Sequence, residues 1–462
     1  MIRPSGNSGN PVDVLVLGGG PAGTAAAREA ARIGASVAIV GEEELGGRAR
    51  WHSLLPSKVW LNAANLLGDL EHSSLLGIPG VVDTAAASHI VERVAEVKDR
   101  QYALETEEFD RLHIEQISGT GQFTDPHTVE VRASDKEHYT ISADKIIIAS
   151  GSVPIFPDGM KPDGKRILAP RFLSKLQSIP KSMIVVGGGV TGSEIIYLFN
   201  RLGTEITAIT DITELLPRSD MDVSRALESI LSDRGVDFHK GVPADRITRD
   251  GDAVTVSLTN GQEFSAEYAF VAIGRKPDVQ RLDLEKAGIE YDPTAGVKTE
   301  STCLSSVEHI FAAGDVTGAP MTANRAMAQG RIAARNAVGK FGEEYYPEWT
   351  IEAVYTEPEV AQVGLLQSQA TDDVNYTVLH MKYQGNLKAE ITEHRDGFLK
   401  LLVGDPSGVI LGASAVGYHA GDLLAPIAVA IRAGMSYEEL HQVALANPTL
   451  SEIITSAPGD AP

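Results

Sequence analysis

Cysteine is almost absent from this sequence, since Cys303 is the only one among 462 residues. A lone thiol cannot close an internal disulfide, so no cysteine framework holds the fold together, and we expect no bound metal. Long apolar runs are missing too, because segments such as Val12–Leu17 stop at glycines far short of a membrane span. Residues 1–11 are polar and lack a signal-peptide core, which predicts a flexible tail on a soluble, cytoplasmic protein.

Positive charge is also in short supply. Lys and Arg number 40 against 62 Asp and Glu, which leaves a formal net charge of -22. Such a surface would repel nucleic acid and anionic membranes, so the expected partner is a small molecule or a protein. The chain is longer than one hydrophobic core usually supports, which predicts roughly two to four domains.

A glycine-rich turn separates the apolar segment Val12–Leu17 from an alanine-rich stretch with helical character. Strand, glycine turn and helix in this order are typical of dinucleotide binding. Gly18 permits the tight turn, Gly20 lets a pyrophosphate approach the backbone, and Gly23 lets the helix pack closely on the strand. The expected contacts in this turn are Gly18, Gly20, Pro21, Ala22 and Gly23.

The same pattern returns after a second short apolar segment, with Gly187, Gly189 and Gly192 at the equivalent positions. Two bound dinucleotides are therefore expected. An acidic residue stands 24 positions after the first glycine of each copy, as Glu42 and Asp211. A ribose hydroxyl needs an acceptor at about this distance along the chain, roughly 20 residues on.

Further motifs extend this pattern over nearly the whole chain. They occupy residues 45–58 (Leu-Gly-Gly-Arg-Ala-Arg-Trp-His-Ser-Leu-Leu-Pro-Ser-Lys), 146–152, 272–277, 310–315, 354–359 and 447–452. In this order they resemble the motifs of the flavoprotein disulfide reductases, the family of dihydrolipoamide dehydrogenase, glutathione reductase and mercuric reductase. The resemblance implies an FAD-dependent oxidoreductase that uses a nicotinamide nucleotide.

The resemblance also implies an architecture. It is an α/β fold with two Rossmann-like dinucleotide-binding domains and a C-terminal α+β dimerisation domain. A discontinuous FAD-binding domain would comprise residues 12–151 and 277–345, with the NAD(P)-binding domain inserted at residues 152–276. The dimerisation domain would occupy residues 346–462, which predicts a homodimer.

The family's motifs assign further cofactor contacts to this sequence. Asp315 would hydrogen-bond the ribityl chain of FAD, and a helix-capping role for the same aspartate is compatible with that contact. The other expected contacts, beyond the two glycine turns and the acids that follow them, are Gly46, Gly47, Lys58, Gly121, Ser150, Gly151, Glu194, Thr210, Gly274 and Ala323.

The groups that perform disulfide chemistry in this family are missing. Ala49 and Leu54 occupy the two cysteine positions and cannot carry electrons. Asn447 stands where the family has a histidine that acts as a general acid. Cys303 is expected to be a small buried hydrophobic residue and His441 a surface helix residue, so neither replaces the lost groups.

The residues that serve flavin reduction in the family are retained. Lys58, from the Pro-Ser-Lys motif, would pair with Glu194 beside flavin N5, where hydride arrives. We therefore assign Lys58 and Glu194 as the catalytic pair. The alternative is a buried ion pair with a purely structural role.

Two departures from the family bear on the cofactors. The family's adenosine-ribose glutamate aligns with Gly41, so Glu42 must reach the same hydroxyl or the contact is lost. Thr210 and Asp211 take the corresponding positions in the second domain, with no arginine before Arg218. A 2′-phosphate needs arginine and is repelled by a carboxylate, so the sequence favours NAD without excluding NADP.

The leading hypothesis for function is an FAD-dependent NAD(P)H oxidoreductase that reduces a non-disulfide small-molecule acceptor, such as a quinone. Ala49 and Leu54 would leave an apolar face for a flat acceptor, with Trp51 or His52 nearby. Core packing is an equally good explanation of Trp51. One alternative function is a non-enzymatic FAD-binding sensor or complex subunit, and another is a nicotinamide nucleotide transhydrogenase.

Overall fold

The computed structural model describes residues 12–79, 86–133, 137–339, 342–456 and 458–459. The tail predicted over residues 1–11 lies outside the described residues. The chain divides into two compact units. The first unit contains residues up to 57, 92–155 and 274–346, and the second contains residues 58–91, 156–273 and 347–462. No helix of the described residues is long and apolar enough to cross a bilayer.

The chain begins with the predicted strand, turn and helix. Its elements up to residue 155 are β1 (Val12–Leu17), α1 (Pro21–Arg32), β2 (Val37–Gly41), α2 (Gly47–His52), α3 (Leu54–Ser73), α4 (Ala87–Arg111), β3 (Glu115–Asp125), β4 (Thr128–Ala133), β5 (His138–Ile148) and β6 (Ser152–Pro154). Helix α1 starts at a proline, whose fixed φ angle suits the first helical position.

The second glycine turn follows in the next segment. Its elements are β7 (Ile167–Leu168), β8 (Ser182–Val186), α5 (Val190–Arg201), β9 (Glu205–Thr210), α6 (Met221–Asp233), β10 (Asp237–Lys240), β11 (Ala244–Asp250), β12 (Ala253–Leu258), β13 (Glu263–Ala266) and β14 (Tyr268–Val271).

The chain then returns to the first unit and ends in the second. The elements of the return are β15 (Arg275–Pro277), β16 (Tyr291–Asp292), β17 (Gly296–Val297), β18 (Ile310–Ala312) and α7 (Ala323–Val338). The final segment contains β19 (Glu352–Val354), β20 (Glu359–Gly364), β21 (Tyr376–Lys382), α8 (Leu387–Thr392), β22 (Phe398–Gly404), β23 (Ile410–Gly417), α9 (Ala420–Leu423), α10 (Ala425–Ala433) and α11 (Tyr437–His441).

The first unit is built on a parallel sheet in the order β3-β2-β1-β5-β18, and β3, β4 and β5 continue as an antiparallel meander. Strand β1 is buried on both faces, which explains its continuous apolar sequence. Val14 and Val16 pack in the core that contains Ala26 of α1. Leu15 and Leu17 point to the opposite face and belong to a separate core.

The second unit contains two large sheets. One is parallel, in the order β10-β9-β8-β14-β7, and the other is antiparallel, in the order β19-β20-β23-β22-β21. Strands β11, β12 and β13 form a small antiparallel sheet. The predicted α/β class, with two Rossmann-like units and a C-terminal α+β part, is confirmed.

Candidate FAD and nicotinamide sites

The glycine turn after β1 has the geometry that a pyrophosphate needs. Gly18 has a φ angle of +122°, and a Cβ atom built on it would lie 2.1 Å from the carbonyl oxygen of Ala149. A Cβ on Gly23 would lie 1.8 Å from the carbonyl oxygen of Gly18. Among the described residues, nothing lies within 4 Å of a Cβ built on Gly20. The outer glycines are therefore fixed by packing, while Gly20 leaves the N-terminus of α1 open to an anion.

The turn after β8 repeats this geometry in the second unit. Gly187 has a φ angle of +117°, and its Cβ would lie 2.3 Å from the carbonyl oxygen of Ala272. A Cβ on Gly192 would lie 1.9 Å from the carbonyl oxygen of Gly187. As at Gly20, no atom of the described residues lies within 4 Å of a Cβ built on Gly189. Both turns accordingly suit a dinucleotide.

Other close approaches tighten the first turn. A Cβ on Gly47 would lie 2.8 Å from the Cα atom of Gly20. A Cβ on Gly314 would lie 2.9 Å from the Cβ atom of Ala22, and one on Gly330 would lie 2.2 Å from the Ala22 carbonyl oxygen. Sequence reasoning missed Gly330, since a glycine inside the α7 helix carries no motif. It allows α7 to approach α1 at the turn.

Six further sequence-predicted cofactor contacts lie in the first unit. Gly151 has a φ angle of +77° and an open Cβ direction among the described residues. The neighbouring Ser150 hydroxyl donates to the Asp278 carbonyl oxygen at 2.8 Å. The others occupy separate places: Gly46 is the N-cap of α2, Gly121 lies within β3, Gly274 precedes β15, and Ala323 begins α7.

Asp315 lies in the 3-10 turn Gly314–Thr317, directly after β18. The N-cap of this turn is Ala313, so Asp315 does not occupy the capping position. Its Oδ2 atom accepts a hydrogen bond from the Ser152 hydroxyl at 2.5 Å. Arg275 Nε donates to the same hydroxyl at 2.8 Å. Sequence reasoning did not single out Ser152 or Arg275 as partners of Asp315.

Glu42 is engaged by arginines. Its carboxylate accepts from Arg281 Nη1 at 2.7 and 2.9 Å and from Arg48 Nη2 at 3.4 Å. Arg281 and Arg48 also pair with Asp278, at 2.6 and 2.9 Å. Burial raises the pKa of Asp278, but the hydrogen bond from Arg281 and the charge of Arg48 outweigh it and lower that pKa. A ribose hydroxyl at Glu42 would therefore join or displace these bonds.

Lys58 and Glu194 meet within the second unit, on α3 and α5. Lys58 Nζ donates to Glu194 Oε1 at 2.6 Å. The backbone nitrogen of Tyr355 donates to the same oxygen at 3.1 Å. Only 6% of the Glu194 side chain is exposed, against 30% of that of Lys58. The carboxylate is thus fixed in place, and the lysine presents its charge to a partly open surface.

Thr210 and Asp211, the two candidate ribose contacts of the nicotinamide site, differ in what they can bind. Thr210 is buried, and its hydroxyl accepts from the Ile212 backbone nitrogen at 3.3 Å. Asp211 is exposed at the end of β9. Arg218 pairs with Glu352 at 2.6 Å. Asp211 is therefore the acceptor available to a ribose, while the first arginine of the segment is already paired with a carboxylate.

Apolar or neutral side chains occupy the positions where the family has its two cysteines and its catalytic histidine. Ala49 lies in α2, and Leu54, which is 42% exposed, begins α3. Asn447 Nδ2 donates to Glu452 Oε1 at 2.7 Å. Cys303 is 1% exposed, and burial raises its pKa to about 12. Its thiol therefore stays protonated at neutral pH, as expected of a buried hydrophobic residue.

Trp51 and His52 have structural partners. The Trp51 ring nitrogen donates to the Leu45 carbonyl oxygen at 3.1 Å, and its ring packs edge-on against Tyr102. His52 Nε2 lies 2.9 Å from Glu43 Oε1. These contacts favour the packing explanation of Trp51. Leu54, at one of the two cysteine positions of the family, is the clearer exposed apolar surface.

Comparison with known proteins assigns the family. Residues 12–330 match the pyridine nucleotide-disulphide oxidoreductases, and residues 350–458 match the dimerisation domain of the same family. The chain belongs to this family. It is therefore a flavoprotein oxidoreductase that uses FAD and a nicotinamide nucleotide, which the two glycine turns fit.

The relatives carry more than one name. A Mycobacterium tuberculosis protein named NAD(P)H dehydrogenase (quinone) is 32% identical over 456 residues, covering 96% of this chain and 92% of the relative. A dihydrolipoyl dehydrogenase from Bacillus subtilis is 32% identical over 460 residues, covering 96% and 97%. The crystal structure of LpdA from Mycobacterium tuberculosis matches with a TM-score of 0.91 at 31% identity, covering 96% of this chain and 98% of that one.

Proposed function

We propose that this protein is an NAD(P)H oxidoreductase in which FAD accepts hydride from the nicotinamide and delivers the electrons to a non-disulfide acceptor, such as a quinone. One observation carries the proposal. The Lys58–Glu194 ion pair is intact at 2.6 Å, while Ala49, Leu54 and Asn447 replace the residues that reduce disulfides. The residues proposed to serve flavin reduction by the nicotinamide are therefore present, whereas those that reduce a disulfide in the family are replaced.

The relatives support a quinone-type acceptor in part. One is named NAD(P)H dehydrogenase (quinone), and others of similar identity are named dihydrolipoyl dehydrogenase. Overall identity therefore does not separate the two activities. The side chains support the non-disulfide acceptor, because disulfide reduction needs a thiolate and the one thiol of this chain, Cys303, is buried.

The proposed roles of individual residues follow from their chemistry. The open turns at Gly20 and Gly189 receive the pyrophosphates of FAD and the nicotinamide nucleotide. Lys58 supplies a fixed positive charge that favours negative charge developing nearby during hydride transfer. Glu194 holds the ammonium group in place. Asp211 accepts a ribose hydroxyl and disfavours a 2′-phosphate, which makes NADH the preferred donor.

The protein is further proposed to be a homodimer, because residues 350–458 match the family's dimerisation domain. Static light scattering at micromolar concentration should give twice the chain mass. A monomeric mass would contradict the dimer without touching the proposal for the reaction.

The acceptor is tested by steady-state assays of the FAD-replete protein. NADH is supplied with a panel that contains benzoquinone, ferricyanide, lipoamide, glutathione disulfide and thio-NADP. We expect turnover with benzoquinone and ferricyanide and none with the two disulfides. Turnover with thio-NADP alone would identify a transhydrogenase. An absence of turnover with every acceptor of the panel would favour the alternative of a non-enzymatic FAD-binding sensor or complex subunit.

A further inference from the structure

The hydroxyl group of Ser152 is bonded on both sides within the first unit. Arg275 Nε donates to Ser152 Oγ at 2.8 Å, and Arg275 Nη2 donates to the Ser152 carbonyl oxygen at 2.8 Å. Ser152 Oγ donates in turn to Asp315 Oδ2 at 2.5 Å. Ser152 is only 3% exposed, so water competes little for these bonds.

In the two hydrogen bonds that link Arg275, Ser152 and Asp315, chemistry fixes which group donates and which accepts. A guanidinium group has only donors, and an ionised carboxylate has only acceptors. The serine hydroxyl must therefore accept from Arg275 and point its single proton at Asp315. Burial lowers the pKa of Arg275, and the negative charge of Asp315 opposes that shift, so the two ends interact electrostatically. Such a charge-assisted chain strengthens each of its bonds.

The backbone holds the first two members in register. Ser152 begins β6 and Arg275 begins β15, and these strands pair antiparallel, with Ser152 opposite Pro277. The backbone nitrogen of Asp278 donates to the Gly151 carbonyl oxygen at 2.9 Å and extends the pairing. These strands are also the last before the chain leaves the first unit at residue 155 and the first after it returns at residue 274. The pairing of β6 with β15 thus places Arg275 and Ser152 next to each other.

We propose that Arg275 and Ser152 are positioning residues for Asp315 in FAD binding. Ser152 occupies Oδ2 of Asp315 and fixes the rotation of the carboxylate, so that Oδ1 is directed at a hydroxyl of the FAD ribityl chain. This inference rests on the proposed contact between Asp315 and FAD.

The test is a double-mutant cycle on FAD affinity. Ser152→Ala, Asp315→Ala and the double variant are stripped of flavin, and the dissociation constant of FAD is measured by flavin fluorescence. Loss of a buried hydrogen bond to a charged group should weaken FAD binding roughly tenfold in Ser152→Ala. In the Asp315→Ala background the same substitution should change the FAD dissociation constant less than about twofold, because its only route to FAD is gone.

Two further variants separate positioning from general stability. Ser152→Thr retains the hydroxyl and should restore FAD affinity and the visible circular dichroism of the bound flavin. Ser36→Ala removes another serine–aspartate hydrogen bond of the same unit, from Ser36 Oγ to Asp13 Oδ2 at 2.8 Å, and should leave FAD affinity unchanged. The melting temperature of each flavin-free variant reports on folding.

Each outcome decides a different point. If Ser152→Ala binds FAD as the wild type does while Asp315→Ala does not, the positioning role is refuted and the Asp315 contact stands. If Asp315→Ala itself binds FAD normally, the proposed contact of Asp315 fails. If the effects of Ser152→Ala and Asp315→Ala on FAD affinity simply add, Ser152 acts through the fold and not through Asp315.

Discussion

Lys58 Nζ lies 2.6 Å from Glu194 Oε1, although 136 positions separate the two residues. The ammonium group also lies over the ring of Tyr355, at 4.5 Å from the ring centroid. Tyr355 contributes twice, because its backbone nitrogen donates to the same Glu194 oxygen at 3.1 Å. The lysine charge is thereby held by a carboxylate and an aromatic face.

Replacing Lys58 should impair flavin reduction more than flavin binding. Lys58→Met removes a preorganised positive charge, and we expect anaerobic reduction by saturating NADH to slow roughly 10- to 100-fold. Glu194→Gln should have a smaller effect because its amide still accepts a hydrogen bond. Stopped-flow absorbance of the flavin measures both rates, with FAD content checked for each variant.

The matched control for this prediction is Lys240→Met. Lys240 and Glu228 form an ion pair of the same length, 2.6 Å, in the same unit, with 28% and 18% of their side chains exposed. Its loss should leave the reduction rate unchanged. An equal slowing in Lys58→Met and Lys240→Met would show that the Lys58–Glu194 pair is only structural.

Asp211 should govern the choice of nicotinamide nucleotide. The wild type is expected to prefer NADH, because the exposed carboxylate repels a 2′-phosphate and Arg218 is paired with Glu352. Asp211→Ala should raise kcat/KM for NADPH about tenfold, which corresponds to about 1.4 kcal/mol. The value for NADH should fall. Initial rates with both nucleotides measure these values. If the ratio of kcat/KM for NADPH to that for NADH is the same in Asp211→Ala as in the wild type, Asp211 does not determine the nucleotide preference.

Glu357 should make the fold less stable at alkaline pH. Burial, with the nearby negative charge of Glu359, raises the pKa of Glu357 from 4.5 to about 8. The folded state therefore binds this proton more tightly than the unfolded state, and the stabilisation is lost as pH rises from about 4.5 to about 8. The other charged groups that act on this carboxyl are Asp69, Arg201 and Arg234.

The variant that tests this effect is Glu357→Gln. It cannot ionise, so it should be more stable than the wild type by about 5 kcal/mol near pH 9, since the pKa difference of about 3.5 units corresponds to about 1.4 kcal/mol per unit. The two proteins should converge below about pH 4.5. Urea unfolding at several pH values measures the difference. A difference that stays constant across this range would mean that Glu357 does not titrate as described.

Lys400 should be essential to the stability of the second unit. Its side chain is fully buried, and its ammonium group lies 2.8 Å from Asp220 Oδ2 and 2.7 Å from Asp222 Oδ1. Lys400→Ala leaves the buried carboxylate of Asp220 without its cationic partner, which should cost about 3–5 kcal/mol of unfolding free energy. The exposed pair Lys161–Asp158 supplies the control, since Lys161→Ala should change stability by less than about 0.5 kcal/mol.

The local elements of the site were predictable from the sequence. Gly18 and Gly187 each need a left-handed backbone and leave no room for a side chain, so the motif directly encodes the turn. Thr210 is the last residue of β9 and Asp211 follows it, and the apolar residues of this segment predict the strand. The pairing of Lys58 with Glu194 came from family resemblance, because their separation of 136 residues leaves no local signal.

Contacts between distant segments were not predictable in this way. Ser152 meets Asp315 across 163 positions, and neither side chain shows this in its neighbourhood along the chain. Lys400 lies in β22, all of whose residues are buried, whereas a lysine within a strand ordinarily predicts a solvent-facing position. Its two aspartate partners belong to the region of α6, so only the folded chain accounts for the buried charge.

The most direct test of the central claim is anaerobic double-mixing stopped flow. The FAD-replete protein is first reduced with one equivalent of NADH and then mixed with either benzoquinone or lipoamide, while the flavin absorbance is followed. We predict rapid bleaching by NADH, rapid return of the absorbance with benzoquinone and no return with lipoamide. A flavin that NADH does not bleach, or one that lipoamide reoxidises in the Cys303→Ser variant, would contradict the account.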